Sequence, residues 1–343
     1  MRGRGGVRGA ARFGRWLSAR GWCAAVVAVG VAGMPLVTAA HAPAAVRYRV
    51  TRTIYVGGEP YGVAVDPASR TVYVTNRADN TVSVIDAATG TVTGTIPVGP
   101  EPYGIAADPA AGTVYVANSA GNSVSVIDAA TRTVTRTIPV GSGPMGVAVD
   151  PAARTVYVTN DGNQGDGTVS VIDAATGTVT RTIPVGSVPA GVAADPAAGT
   201  VYVADGEGGV GAVSVIDAPT GTVTRTIPVG VGPGWVAVDP GTHTAYVTNL
   251  NDDSVSVIDA ATGTVTGTIH LGERPFGVAV DPAARTVYVA NGDVASVIDE
   301  VTSTVTATIP VGSAPDAVAV DPGTHTAYVT NANDDSVSVI CRC

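Results

Sequence analysis

The sequence predicts an all-β chain folded as a seven-bladed propeller of four-stranded blades, and three observations predict it. Asp-Pro recurs at Asp66, Asp108, Asp150, Asp195, Asp239, Asp281 and Asp321, spaced by 42, 42, 45, 44, 42 and 40 residues. That period matches one four-stranded propeller blade. Gly, Ala, Val and Thr dominate the composition, with only 14% charged and 5% aromatic residues, and beyond residue 45 no long stretch carries apolar residues at helical spacing. Val and Thr are β-branched and fit a pleated, packed surface. Finally, every period holds four short β-type runs divided by turn residues.

Taken in chain order, residues 1–42 read as a secretory signal. An Arg-rich stretch precedes an apolar run over 22–34, and Ala40-His41-Ala42 follows with the small residues of a cleavage site. Pro35 interrupts the run, which is short for a membrane span. The mature chain is therefore expected to carry no transmembrane segment and to be secreted or associated with the cell surface. A lone outer-type run follows over 49–57. In the second repeat the four runs are TVTGTIPVG (91–99), GIAAD (104–108), TVYVAN (113–118) and SVSVID (123–128). Gly-Pro, Asp-Pro-Ala-Ala-Gly, Asn-Gly and Asp-Ala-Ala-Thr-Arg bend the connections between them. The last repeat stops after its third run, SVSVI over 336–340. The run over 49–57 is thus free to complete the blade made by 316–340. This closes the ring and removes an open seam that would invite edge pairing. The expected domain spans 46–340, followed by a short tail over 341–343.

Charge and cysteine narrow the partners. All 19 basic residues are Arg. Six of them lie in the first 42 residues, which hold no acid, so the remainder sets 13 basic against 28 acidic residues, a net of −15. Such a body repels phosphate backbones, and nucleic acid is a disfavoured partner. The expected partner is a protein, a glycan or a small molecule, and the chain is expected to be a monomer. After signal removal the only cysteines are Cys341 and Cys343. One intervening residue makes a strained internal disulfide, and two cysteines alone do not make a zinc site.

The tetrapeptide YVTN stands at 73–76, 157–160, 246–249 and 328–331, with near-copies beginning at Tyr115, Tyr202 and Tyr288, and SVID and TIPVG stand alongside. With these motifs the chain resembles the YVTN family of β-propeller repeat proteins over about residues 49–340. The resemblance implies a surface-layer or periplasmic type of protein, similar to lactonase and nitrous oxide reductase propellers. It implies no single activity.

Two features point to one face as the functional one. All length variation falls between the YVTN Tyr and the Ser of SVID. That interval is ten positions from Tyr73 to Ser83, three more from Tyr157 to Ser170, two more from Tyr202 to Ser214 and two fewer from Tyr288 to Ser296. Insertions confined to one face often mark a binding face. The only Trp, Phe and Met left after the signal are Trp235, Phe276 and Met145, all at the start of an inner strand, where other blades place Tyr61, Tyr103, Ala190 and Asp316. The candidate ligand site is therefore Tyr61, Tyr103, Met145, Trp235, Phe276 and Asp316 at one mouth of the channel. A structural plug built from the same side chains is an equal alternative.

No catalytic constellation is expected. The seven Asp-Pro aspartates and the SVID aspartates read as turn-fixing groups. Arg136, Arg181 and Arg225 on the outer run read as charges that discourage edge pairing. His243 and His325 share one turn slot away from the variable loops, and no metal spacing joins the histidines. The loop containing Asp161, Asn163 and Asp166 has the composition of a calcium site, but Gly165 and Ile172 stand where the EF-hand pattern needs ligands. No cofactor is expected beyond that calcium candidate. The leading reading is an exported, non-enzymatic binding or interaction scaffold. The alternative is a lactonase-like, metal-dependent hydrolase working in the central channel.

Overall fold

Strand and turn chemistry alternate along the chain, and the computed structural model turns each alternation into a hairpin. It describes residues 46–162, 167–206 and 211–342. The signal segment, Asn163, Asp166 and Cys343 lie outside the described residues. After β1 (Tyr48–Tyr55) the first blade is the antiparallel meander β2 (Pro60–Asp66), β3 (Thr71–Asn76), β4 (Thr81–Asp86) and β5 (Thr91–Pro97). Five more such sheets follow, with inner strands beginning at Pro102, Pro144, Pro189, Pro233 and Pro275. The seventh sheet takes three strands from the end of the chain and its outer strand from the beginning. A single 3-10 turn at Ala332–Asp334 is the one helical element among the described residues, so none of their helices is long and apolar enough to cross a membrane.

Ring closure follows the expected pairing. β1 lies antiparallel to the last strand, Ser336–Arg342, with Tyr55 opposite Ser336, Ile54 opposite Val337 and Tyr48 opposite Arg342. The boundary differs from expectation at one end. Cys341 and Arg342 are not a tail but the last two strand residues, paired with Arg49 and Tyr48. Two residues of β1 were free to pair, and unpaired edge groups are costly where a partner is available. Across the seam the Val56 N–H donates to the Asp335 carbonyl and the Glu59 N–H to Asp335 Oδ1, both at 2.9 Å.

The core lies between the blades, and the repeat explains it residue by residue. The Tyr of each YVTN-type tetrapeptide is at most 3% exposed and packs with the Val and Ile of the next sheet. The Thr is a bridge between blades. Thr75 Oγ1 accepts from the Gly62 N–H at 2.7 Å and donates to the Tyr103 carbonyl of the second blade at 2.8 Å. Thr159 makes the same link to the Ala190 carbonyl at 2.6 Å, and Thr330 to the Tyr61 carbonyl at 2.8 Å across the seam. The Asn is buried and donates through Nδ2 to two hydroxyls of the neighbouring strand, Thr81 and Ser83 in the first blade, both at 2.9 Å. Inner strands approach so closely that a Cβ on Gly62 would lie 2.5 Å from the Tyr103 carbonyl oxygen. Thr330→Ala is expected to cost about 1–2 kcal/mol, because it removes one buried hydroxyl and leaves two backbone groups short of a partner. A denaturant midpoint unchanged from the parent protein would contradict the bridging role.

The outer-strand arginines do something other than guard an edge. Arg225 Nη1 donates to the Thr262 carbonyl in the turn of the following blade at 2.7 Å, and Arg136 reaches Thr176 and Arg52 reaches Thr89 in the same way. The bond reaches into a turn whose carbonyl the hairpin leaves unused, which makes each arginine a clamp between neighbouring blades. Gly94 and Gly267 occupy that slot in the first and fifth blades and Ala307 in the sixth. There other groups join the blades. Arg132 donates back to the Thr93 carbonyl at 3.2 Å, the Tyr246 hydroxyl donates to Glu300 Oε1 at 3.2 Å, and Tyr48 meets Tyr288 edge-on at 6.1 Å.

Candidate functional site

Each crossover between blades delivers a Pro to the start of an inner strand, and the residue after it stands at the channel mouth. In the first, second, third, fourth and sixth blades the close inter-strand approach leaves the Gly slot no room for a Cβ without movement. The preceding residue, Tyr61 in β2 and Tyr103 in the next inner strand, therefore carries the bulk. The two rings meet at a centroid distance of 4.5 Å with a 59° tilt. Tyr61 also lies 6.2 Å from Trp235 of the fifth blade, at a 51° tilt. Rings from blades one, two and five thus converge, although their residues lie up to 174 positions apart in the numbering from 61 to 235.

Trp235 enters differently from the tyrosines. It occupies the slot that Gly62, Gly104, Gly146, Gly191 and Gly277 hold in other blades. Thr248 Oγ1 accepts from the Trp235 N–H at 3.0 Å and lies 3.4 Å from the Trp235 carbonyl, as Thr75 does from the Gly62 carbonyl.

Two arginines that the sequence did not single out complete the site. Arg77, just after YVTN of the first blade, places its guanidinium 5.3 Å from the Tyr103 ring centroid and pairs with Glu59 at 3.4 Å. Arg274 lies 5.7 Å from the ring of Phe276. The only available signal was position, since each sits in a loop of the variable face next to an aromatic slot. Asp316 belongs to the same electrostatic group. Partial burial pushes its carboxyl up to about 6, with Arg77 pulling the other way. Tyr61 is raised far above the ordinary tyrosine value by burial first, then by the charge of Asp316 and by Tyr103, with Arg77 opposing. Tyr103 is raised by burial and lowered by Arg77. Met145 and Phe276 are half-buried at the matching positions of blades three and six.

The calcium candidate has one described member, Asp161, because Asn163 and Asp166 lie outside the described residues. Among the described residues no group of three or more His, Cys, Asp or Glu side chains is placed to hold a metal ion. The aspartates behave as turn-formers. Asp66 Oδ1 accepts from the Ala68 and Ser69 N–H groups at 2.9 and 3.3 Å, and Asp86 Oδ1 from the Thr89 N–H at 2.7 Å. The histidines acquire a role only in three dimensions. His243 Nδ1 lies 2.6 Å from Asp195 Oδ2 and His325 Nδ1 lies 2.7 Å from Asp281 Oδ2, each joining a turn to the buried aspartate of the preceding blade. They stand at the end of the channel opposite the aromatic mouth.

The family model of the YNCE-like beta-propeller matches residues 58–159, which cover the first two blades and the inner part of the third. No curated protein matches the chain. Among solved structures, a chain of Kuenenia stuttgartiensis Hydrazine Synthase is similar in fold, with a TM-score of 0.77 and 23% identity, covering 83% of this chain and 96% of that one. At that identity the likeness concerns the fold alone. The chain is a seven-bladed β-propeller whose repeats carry the YVTN tetrapeptide or near-copies of it, and its residues 58–159 match the YNCE-like propeller model.

Proposed function

We propose that this propeller is an exported, non-enzymatic binding module whose ligand or partner face is the channel mouth. The observation that carries the reading is the convergence of Tyr61, Tyr103 and Trp235 from three blades, at 4.5 and 6.2 Å, beside Asp316 and Arg77. Among the described residues the other buried tyrosines, such as Tyr73 and Tyr157, lie between blades, whereas Tyr61, Tyr103 and Trp235 stand at the starts of inner strands. Rings with an acid and a guanidinium beside them supply contact area together with oriented polar groups, the usual makeup of a small-molecule site. The variable loops open on the same face. Export rests on the Arg-rich and apolar composition of residues 1–42. Intact-mass measurement on protein recovered from culture medium tests it, with a chain starting near Ala42 or Ala44 as the expected result.

Trp235 is the only tryptophan beyond the signal segment, so its emission reports on the mouth. Titration with panels of amines, neutral sugars and short peptides is expected to give a saturable shift with one class. Tyr103→Ala and Phe276→Ala are expected to weaken that binding at least ~tenfold, about 1.4 kcal/mol, while the ring stays folded. If no class shifts Trp235 and Phe276→Ala lowers stability by ~3–5 kcal/mol, the rings are a plug and the reading fails.

A further inference from the structure

We infer that the mouth is built to take a small organic cation bearing an alkylated ammonium head. This deepens the proposal that the mouth is the ligand face and rests on it. Cations are attracted to the negative face of an aromatic ring, most strongly to indole, and the attraction grows as water is removed. The mouth joins one indole to two phenol rings, tilted against one another by 51° and 59° rather than stacked in parallel. Tilted rings cannot all cover one another's faces, so part of their surface stays available, and Tyr61, Tyr103 and Trp235 are each only half-buried.

The site already holds cations of its own. Arg77 and Arg274 lie over the rings of Tyr103 and Phe276 at 5.3 and 5.7 Å. Both sit on loops of their own blades, and the half-buried Arg77 also acts on Asp316 of the seventh blade. Asp316, at the matching slot of the seventh blade, contributes a carboxyl whose lost hydration Arg77 offsets only in part. The crossover loops add Glu59, Glu101 and Glu273 around the same mouth. Glu59 is engaged by Arg77 at 3.4 Å. An anionic ligand would meet four carboxylates, Asp316, Glu59, Glu101 and Glu273, against two guanidiniums. A neutral ligand would leave the Asp316 charge as it is. A cation would satisfy the rings and the carboxyl together, in a setting of low local dielectric where the attraction is strong.

Choline and its uncharged isostere 3,3-dimethylbutan-1-ol separate charge from shape. Each is titrated into the mature protein at matched ionic strength, with Trp235 emission and calorimetry as readouts. The expected result is a saturable Trp235 change with choline and at least ~tenfold weaker binding of the alcohol, a difference of about 1.4 kcal/mol. Asp316→Asn, which keeps the side-chain volume, is expected to lower choline affinity by ~tenfold and to leave the alcohol unchanged. Its melting temperature serves as the folding control, and Tyr103→Leu tests the ring with the carboxyl intact. Equal affinity for both compounds would overturn the cation inference and leave the mouth standing as an apolar ligand site. Binding of choline unaffected by Asp316→Asn and by Tyr103→Leu would place the cation elsewhere and overturn it as well. No binding of either compound, with Tyr103→Leu destabilising the ring as a core truncation does, would overturn both the inference and the functional reading beneath it.

Discussion

Deleting residues 46–57 is expected to lower the melting temperature by ~10 °C or more, whereas deleting residues 1–42 should leave it unchanged. β1 is the outer strand of the seventh blade and pairs along its length with Ser336–Arg342. Its Ile54 is 5% exposed and packs with Val337, Val339 and Tyr328. Removing it uncovers those side chains, opens a strand edge and severs the Arg52 clamp to the Thr89 carbonyl. Losing one such buried aliphatic side chain alone typically costs ~2–5 kcal/mol. At about 2 °C per kcal/mol for a domain of this size, the upper end already corresponds to ~10 °C. The same deletion should raise the tendency to dimerise, since an unpaired edge recruits another chain. Thermal midpoints of the two truncated proteins decide the matter, and equal values would show that the ring does not close through its first strand.

Asp205→Asn is expected to stabilise the protein by ~2 kcal/mol at pH 8 and to have little effect near pH 3. Six blades carry Asn at this position, and the fourth carries Asp205. The carboxyl is 4% exposed. Ser214 donates to its Oδ2 at 2.6 Å, and its Oδ1 has no partner among the described residues. The usual second hydroxyl is missing because Ala212 stands where Ser123 or Thr81 stand elsewhere. Burial raises the group to about 6, against lowering by bonds from Ser214 and Gly186. A carboxyl raised in the folded state holds its proton more tightly there than in the unfolded chain. Stability is therefore highest below the unfolded value and falls as pH rises through about 6. Glu300, raised to about 7 by burial and by the nearby charge of Asp239, acts in the same direction. So does His243, which Asp195 raises, since its contribution is lost as pH rises through its folded value. The SVID-type aspartates oppose this at the acid end, because hydrogen bonds from Thr89 and its equivalents lower them, and their contribution is lost as pH falls below the usual carboxyl range. The melting temperature should therefore peak at about pH 4–5, with Asp205→Asn and Glu300→Gln each flattening the decline toward pH 8. A peak above pH 7, or equal stabilisation by Asp205→Asn at both pH values, would contradict this account.

The blade count, the four strands of each blade and the closure by the first strand were legible because propeller blades repeat a local pattern. Asp-Pro turns, β-branched runs and loop lengths report directly on hairpins, whose residues are neighbours in the chain. The turn role of Asp66 and Asp86 was readable for the same reason, since their bonds reach only two or three residues. The aromatic slots could be listed from the repeat, which places equivalent residues at equivalent ends of their strands. What the repeat could not supply is who faces whom across the ring. The 6.2 Å approach of Tyr61 to Trp235, the Arg77 guanidinium over Tyr103, the arginine clamps and the His243–Asp195 pair all join different blades. Such contacts depend on the bore and on side-chain direction, which one-dimensional spacing does not encode. The sequence by itself thus determined the fold, because hairpin turns and strand periodicity are local. Only the tertiary structure decided the makeup of the mouth and the stapling of the blades, because those arise where surfaces from distant segments are forced within van der Waals and hydrogen-bond reach.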